Sequence, residues 1–166
     1  INDPDLYLGA KVCKMTMING VQCWGFSPSK YVREAVSNAD TYHKKRYGQG
    51  LPKKVKTPYE RDYRPELDTT PELNASDASY YHSAIGILRW IVELGRVDII
   101  TEVSLLSSHL ALPREGHLET VFRVFAYLGN KHNSVMLFDP SYPDSNRSDF
   151  KDYDWKEFYG NVKEPI

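Results

Sequence analysis

Residues 80–129 read YYHSAIGILRWIVELGRVDIITEVSLLSSHLALPREGHLETVFRVFAYLG, and the punctuation of this stretch decides the fold. Tyr81, Ala84, Ile85, Leu88 and Val92 recur at helical spacing, which predicts a helix over residues 77–94 that stops at Gly95. Asp98 stands where it can cap a second helix running to residue 110, with Ile99, Val103, Leu106 and Leu110 on one face. Pro113 opens a third, ended by Gly129, whose inward residues are Leu118, Val121, Phe122, Phe125 and Leu128. Links this short make the helices antiparallel neighbours. Gly86 costs its helix about 1 kcal/mol against Ala, so it reads as a close helix crossing.

Upstream, Asn19-Gly20 suits a two-residue type I′ turn, where both positions need positive φ. Centred there, a hairpin pairs Met17 with Gln22, Met15 with Trp24 and Cys13 with Phe26, leaving Lys14, Thr16 and Cys23 on the other face. A helix over residues 28–47 follows: Ser27 can accept the cap hydrogen bond, Pro28 suits the first position and Gly48 supplies the stop. Tyr31, Val32, Ala35, Val36, Ala39 and Tyr42 form its buried stripe. Residues 49–76 hold Pro52, Pro58, Pro65 and Pro71 and read as an extended connection over the helices, with Tyr59, Tyr63 and Leu67 as anchors, or as a mobile one. Residues 134–138 read as a strand ended by Asp139-Pro140. The expected fold is mainly α: an N-terminal β-hairpin, a long helix, a Pro-rich connection, a three-helix unit, and a short C-terminal strand with an irregular tail. It divides into residues 1–26, 27–129 and 130–166.

At 166 residues the chain is long enough to bury a real core. Its formal net charge of −1 gives no global electrostatic case for nucleic acid, so any basic surface must come from local segregation. Such segregation exists: Lys44, Lys45, Arg46, Lys53, Lys54 and Lys56 precede a stretch carrying Glu60, Asp62, Glu66, Asp68, Glu72 and Asp77. Lys44, Lys45 and Arg46 could contact phosphates or offset the dipole at the helix carboxyl end, worth about 0.3–1 kcal/mol each. The run continues past Gly48, where no dipole remains, which leaves phosphate contact or a solvated loop. Cys13 and Cys23 make neither a disulfide framework nor a zinc set and read as reduced core thiols. His109 and His117 are eight residues apart across a Pro, with no third metal ligand in view. Without a run of about 18 apolar residues or a cationic leader, the expectation is an intracellular protein with no membrane partner and no secretion.

The order of several short motifs resembles the region after the palm in copia-type retrotransposon reverse transcriptases. Ile85-Gly86-x-Leu88 with Trp90, Gly95-Arg96-Val97-Asp98-Ile99, Val103-Ser104-x-Leu106-Ser107, Pro113, His117, Arg123 and Ala126-Tyr127-Leu128 follow that family's V-G-x-L, T-R-P-D-I, A-V-S-x-L-S, P-x-x-x-H and R-x-L-R-Y-L. Residues 6–12 (LYLGAKV) are similar to the family's F-L-G motif opening the primer-grip hairpin, and residues 24–32 (WGFSPSKYV) to its S-Q-x-K-Y-I, so the likeness covers roughly residues 5–138. His82 stands where the family usually has Arg, and Val97 where it has Pro.

The resemblance implies a fragment of a Pol polyprotein spanning the primer grip, the thumb and the start of the connection region. Tyr7, Leu8, Gly9 and Trp24 would then be primer-grip-like, against the plain alternative of a hairpin sealing the palm edge. Its partners would be an RNA/DNA template–primer duplex and the rest of the polyprotein, in a cytoplasmic particle or the nucleus. Nucleic-acid contacts would fall to Lys44, Lys45, Arg46, Lys53, Lys54, Lys56, Arg89 and Arg123, although a snorkelling surface arginine looks the same in sequence. Arg96 and Asp98 read as an ion pair or cap rather than as catalysts.

No Y-V-D-D precedes Leu6, and Asp3 and Asp5 merely flank Pro4, so no catalytic residue is expected here. No cofactor is expected in the fragment either; Mg would be bound by the missing palm and ribonuclease H domains. Asp152-Tyr153-Asp154-Trp155 resembles the opening of that family's ribonuclease H strand, but Lys156-Glu157 replaces the usual Ala-Gly, so residues 139–166 read as an acidic linker. The competing expectation is a helical protein-interaction module, or an inactive relic of a retroelement, without nucleic-acid binding.

Overall fold

The computed structural model describes residues 5–141, so Asp3 and the Asp152-to-Asp154 motif lie outside the described residues. The architecture is mainly α, with a small antiparallel sheet at one side. Its strands are β1 (Leu6–Tyr7), β2 (Ala10–Thr16), β3 (Gln22–Ser27) and β4 (Met136–Phe138), in the order β1-β2-β3-β4. Its helices are α1 (Ser29–Tyr47), α2 (Ala75–Glu93), α3 (Ile100–Ser107) and α4 (Glu115–Asn130). Among the described residues no helix is long and apolar enough to cross a membrane.

The expected apolar stripes supply the core. Val32, Ala35 and Ala39 of α1, Tyr81, Ala84, Ile85 and Leu88 of α2, Val103 and Leu106 of α3, and Leu118, Val121, Phe122, Phe125 and Leu128 of α4 pack into one cluster. In α2, Ile91 is fully buried while Val92 only borders the core, so the stripe rotates slightly toward its carboxyl end. Buried aliphatic and aromatic side chains of this size stabilise by roughly 1.5–3 kcal/mol each.

Helix ends differ from the sequence reading where long-range partners intervene. Ser27 does not cap α1: its hydroxyl donates to Ser134 O at 3.3 Å, and Pro28 takes the cap position without a side-chain bond. Asn74 caps α2 by accepting from Asp77 N at 3.0 Å, so that helix starts before residue 77. Asp98 does not cap α3, which ends at Ser107, because both its carboxylate oxygens face Arg96. Pro113 lies before α4; its carbonyl accepts from Leu73 N at 3.0 Å. In the connection, Leu67 is 68% exposed and anchors nothing, whereas Val55 and Pro65 are buried.

The hairpin register is one residue away from the expected one. Lys14 faces Trp24, Met15 faces Cys23 and Val12 faces Phe26. Asn19-Gly20 is the end of a three-residue loop, closed by Met17 N donating to Val21 O at 2.9 Å, in which Asn19 Oδ1 accepts from Val21 N at 3.1 Å. Only Gly20 has positive φ (82°), the form of a type I turn followed by a left-handed residue. A one-residue slip exchanges faces, which buries Cys23 and brings Lys14 over the Trp24 ring at 5.2 Å. The tight turn with two positive φ values is Leu8-Gly9, at 49° and 90°.

Gly86 is not a close crossing, because a Cβ there would meet nothing within 4 Å. The close approach is at Gly129, inside α4, where a Cβ would lie 3.2 Å from Val36 Cγ1 of α1. Gly86→Ala should therefore stabilise the protein by as much as about 1 kcal/mol through helix propensity. Urea unfolding of Gly86→Ala beside Gly129→Ala checks this: only the first should gain.

Candidate nucleic-acid interface

The basic residues divide into those used inside the fold and those without an ion pair among the described residues. Arg46 is used inside. Its Nη2 lies 2.9 Å from Asp77 Oδ2 and 2.7 Å from Glu115 Oε1, tying the end of α1 to the starts of α2 and α4. Tyr42 donates to Asp77 Oδ1 at 2.7 Å. Burial pushes the Asp77 carboxyl up, but hydrogen bonds from Tyr42 and Arg46 outweigh it and hold the group below its ordinary range. The Tyr42 hydroxyl is pushed up to about 12 by burial and by Asp77. Lys44 pairs with Asp40 one turn back, while Lys45 is exposed.

Arg123 is half-buried and engaged, with Nη1 3.0 Å from Glu60 Oε1 and Nη2 3.4 Å from Thr57 Oγ1. It borders an open depression of about 320 Å3 that also touches Tyr47, Tyr63 and Phe122. Arg89 is exposed and lines a different depression, with Val92, Ile100 and Ser104 between α2 and α3. Tyr7, Leu8 and Gly9 form the sheet's outer turn; Tyr7 is 61% and Leu8 58% exposed, and Trp24 lies two strands in.

Lys53, Lys54 and Lys56 are brought together. All three are exposed around buried Val55, whose carbonyl accepts from Asn130 Nδ2 at 3.1 Å. An open depression of about 590 Å3 is lined by Lys53, Lys54, Val55, Lys56, Asn130 and Lys131. Among the described residues no carboxylate lines it and none of its four lysines has an ion pair. Five of the six carboxylates in the acidic stretch are engaged elsewhere: Glu60 with Arg123, Glu66 with Arg64, Asp68 with Tyr63 and Thr70, Glu72 with Arg114 and Asp77 with Arg46. The result is a locally positive surface on a chain of nearly zero net charge. Asn130 and Lys131 were outside the sequence reading, because nothing local to residues 53–56 points to the end of a helix 75 residues on.

His109 and His117 lie ring against ring, with centroids 4.2 Å apart and planes tilted by 30°. His117 Nδ1 accepts from Arg114 N at 3.1 Å and Nε2–H donates to Pro65 O at 3.0 Å, so both ring nitrogens are in use. Arg96, 1% exposed, holds Asp98 through Nε and Nη2 at 2.8 Å each, and its Nη1 donates to Lys131 O at 2.9 Å. This resolves the Arg96–Asp98 alternatives in favour of an ion pair.

No protein-family model matches the chain, and no solved structure matches it. Over 66 residues it is 44% identical to a putative transposon Ty5-1 protein of Saccharomyces cerevisiae. That stretch covers 39% of this chain and 21% of that protein, so the chain spans about a fifth of the curated relative it matches, and its similarity is to a transposon protein.

Proposed function

We propose that the chain is the non-catalytic, duplex-clamping part of a copia-like retrotransposon reverse transcriptase. The observation that carries this reading is the depression in which Lys53, Lys54 and Lys56 converge with no carboxylate among the described residues. The motif order along the chain and the similarity to a transposon protein support it. Lysines of this kind bind a nucleic-acid backbone by displacing condensed counterions, and an RNA-containing duplex is read mainly by its shape and phosphates. In this reading Tyr7, Leu8, Gly9 and Trp24 meet the primer side, and Arg89 and Arg123 lie along the duplex track. The polymerase and ribonuclease H carboxylates, with their Mg, belong to other parts of the polyprotein, and the site of action is intracellular.

A second reading, a protein-interaction module, is favoured by the apolar residues the sheet leaves outside: Leu6 65%, Tyr7 61%, Leu8 58% and Phe138 54% exposed. Salt-dependent duplex binding separates the two. Replacing Lys53, Lys54 and Lys56 with Gln should weaken duplex affinity alike for all sequences and flatten its dependence on log salt by up to about one unit for each lysine–phosphate pairing removed. An unchanged slope would return these lysines to a solvated loop, and no duplex binding at any salt would favour the interaction module.

A further inference from the structure

The lysine depression is held from two sides, and neither hold uses a lysine ammonium. On one side the irregular segment is pinned at Val55, whose side chain is buried and whose carbonyl is bound by Asn130 Nδ2 at 3.1 Å. A pinned residue in open backbone sends its neighbours Lys54 and Lys56 outward. On the other side, Lys131 caps α4, and its carbonyl is fixed by the buried Arg96 guanidinium at 2.9 Å. Like charges held together repel one another, here with no carboxylate among the described lining residues, and an anion entering between them relieves that repulsion. The volume of the depression, about 590 Å3, suits a run of phosphates better than a single small anion.

We infer that Lys131 is a fourth member of this set and that Asn130 is a positioning residue, the two making with Lys53, Lys54 and Lys56 a cradle for adjacent phosphates. The inference rests on the duplex-binding reading above for its natural ligand, but the cradle itself is defined by chemistry that inorganic tripolyphosphate also carries. Asn130 contributes no charge. It keeps the lysine segment on the helix end, so its removal costs affinity through disorder of the segment rather than through weaker attraction.

The test uses the full chain and two probes, tripolyphosphate and a blunt RNA/DNA duplex, titrated calorimetrically at several salt concentrations. Lys131→Gln should weaken both and flatten the duplex salt slope by up to about one unit. Asn130→Ala should weaken both by about two- to tenfold, the equivalent of one hydrogen bond, at unchanged net charge. Lys45→Gln, outside the depression, should leave tripolyphosphate binding unchanged. Urea unfolding of Asn130→Ala shows whether the fold survives; a Lys131→Gln effect with intact stability keeps the inference testable if it does not. Failure of the unaltered chain to bind tripolyphosphate, or an equal loss from Lys45→Gln and Lys131→Gln, would overturn the cradle. Duplex binding whose slope ignores Lys131→Gln would also overturn it while leaving the clamp reading intact. Tripolyphosphate binding without duplex binding would support the cradle and sink the clamp.

Discussion

Phe122→Ala should destabilise the protein by about 3–5 kcal/mol, while Arg123→Ala, one residue on, should cost under about 1 kcal/mol. Phe122 is 2% exposed. The rings of His43, Tyr80, Tyr47 and Tyr42 surround it, with centroids 4.8, 5.8, 6.1 and 6.3 Å away. Truncation removes the ring on which α1 and α4 meet, and a rigid aromatic wall cannot collapse to fill the space. It would also merge the space with the depression beside Arg123. Arg123 is about 100° further around the helix and makes a surface pair with Glu60, itself 70% exposed at the side chain. Guanidinium-chloride unfolding of both variants checks the phase of α4. Equal losses would mean the face is wrong, and Arg123 with it.

A second large effect is expected at Asp98. Removing this carboxylate leaves the Arg96 guanidinium, 1% exposed, without its counter-ion; breaking a fully buried pair from one side costs about 3–5 kcal/mol, and because the Asp98 side chain is 37% exposed the loss here should be about 2–3 kcal/mol. Asp98→Ala should therefore be far more harmful than an exposed-residue change, whereas Arg96→Met with Asp98→Ala should recover part of the loss, since no buried charge then stands alone. Recovery would be absent if Asp98 mattered only by accepting from Tyr127, whose hydroxyl lies 3.0 Å from Oδ2. The pH dependence has the same origin. Burial raises the Asp98 pKa, but Arg96 lowers it by more, as Arg46 and Tyr42 do at Asp77. A depressed folded pKa means that this stability is fully present above the unfolded carboxylate value near 4 and is lost as pH falls through the folded value. Thermal unfolding of Asp98→Ala should accordingly be less steep in acid than that of the unaltered chain.

The helices were legible because Tyr81, Ile85 and Leu88, or Leu118, Phe122 and Phe125, repeat a period that only one packed face satisfies. Two of the misread residues, Ser27 and Arg46, have partners distant along the chain. Ser27 has the chemistry of a cap, yet its hydroxyl is drawn to Ser134, 107 residues away, on the way into a strand that completes the sheet beside β3. Arg46 sits in a basic run and reads as surface charge, until Asp77 and Glu115, 31 and 69 residues on, take its guanidinium. The Asn19-Gly20 turn failed for a local reason: the Asn19 side chain bonds Val21 N, which accommodates a third loop residue and shifts every pair below it. Gly86 and Gly129 are indistinguishable as letters, and only the approach of Val36 separates the close crossing from the open position. For the site, the lysines were readable as a charge cluster. Their convergence depends on Val55 being buried and on Asn130, neither of which the cluster itself encodes.

The proposed duplex-binding surface lies where residues 53–56 meet the end of α4. Titrating the isotope-labelled chain with a short RNA/DNA duplex, and following backbone amide shifts, tests it most directly. A duplex clamp gives salt-sensitive shifts concentrated at Lys53, Lys54, Val55, Lys56, Asn130 and Lys131, with smaller ones at Arg96, which donates to Lys131 O. Shifts confined to the sheet around Tyr7 and Phe138, or no shifts at low salt, would contradict it.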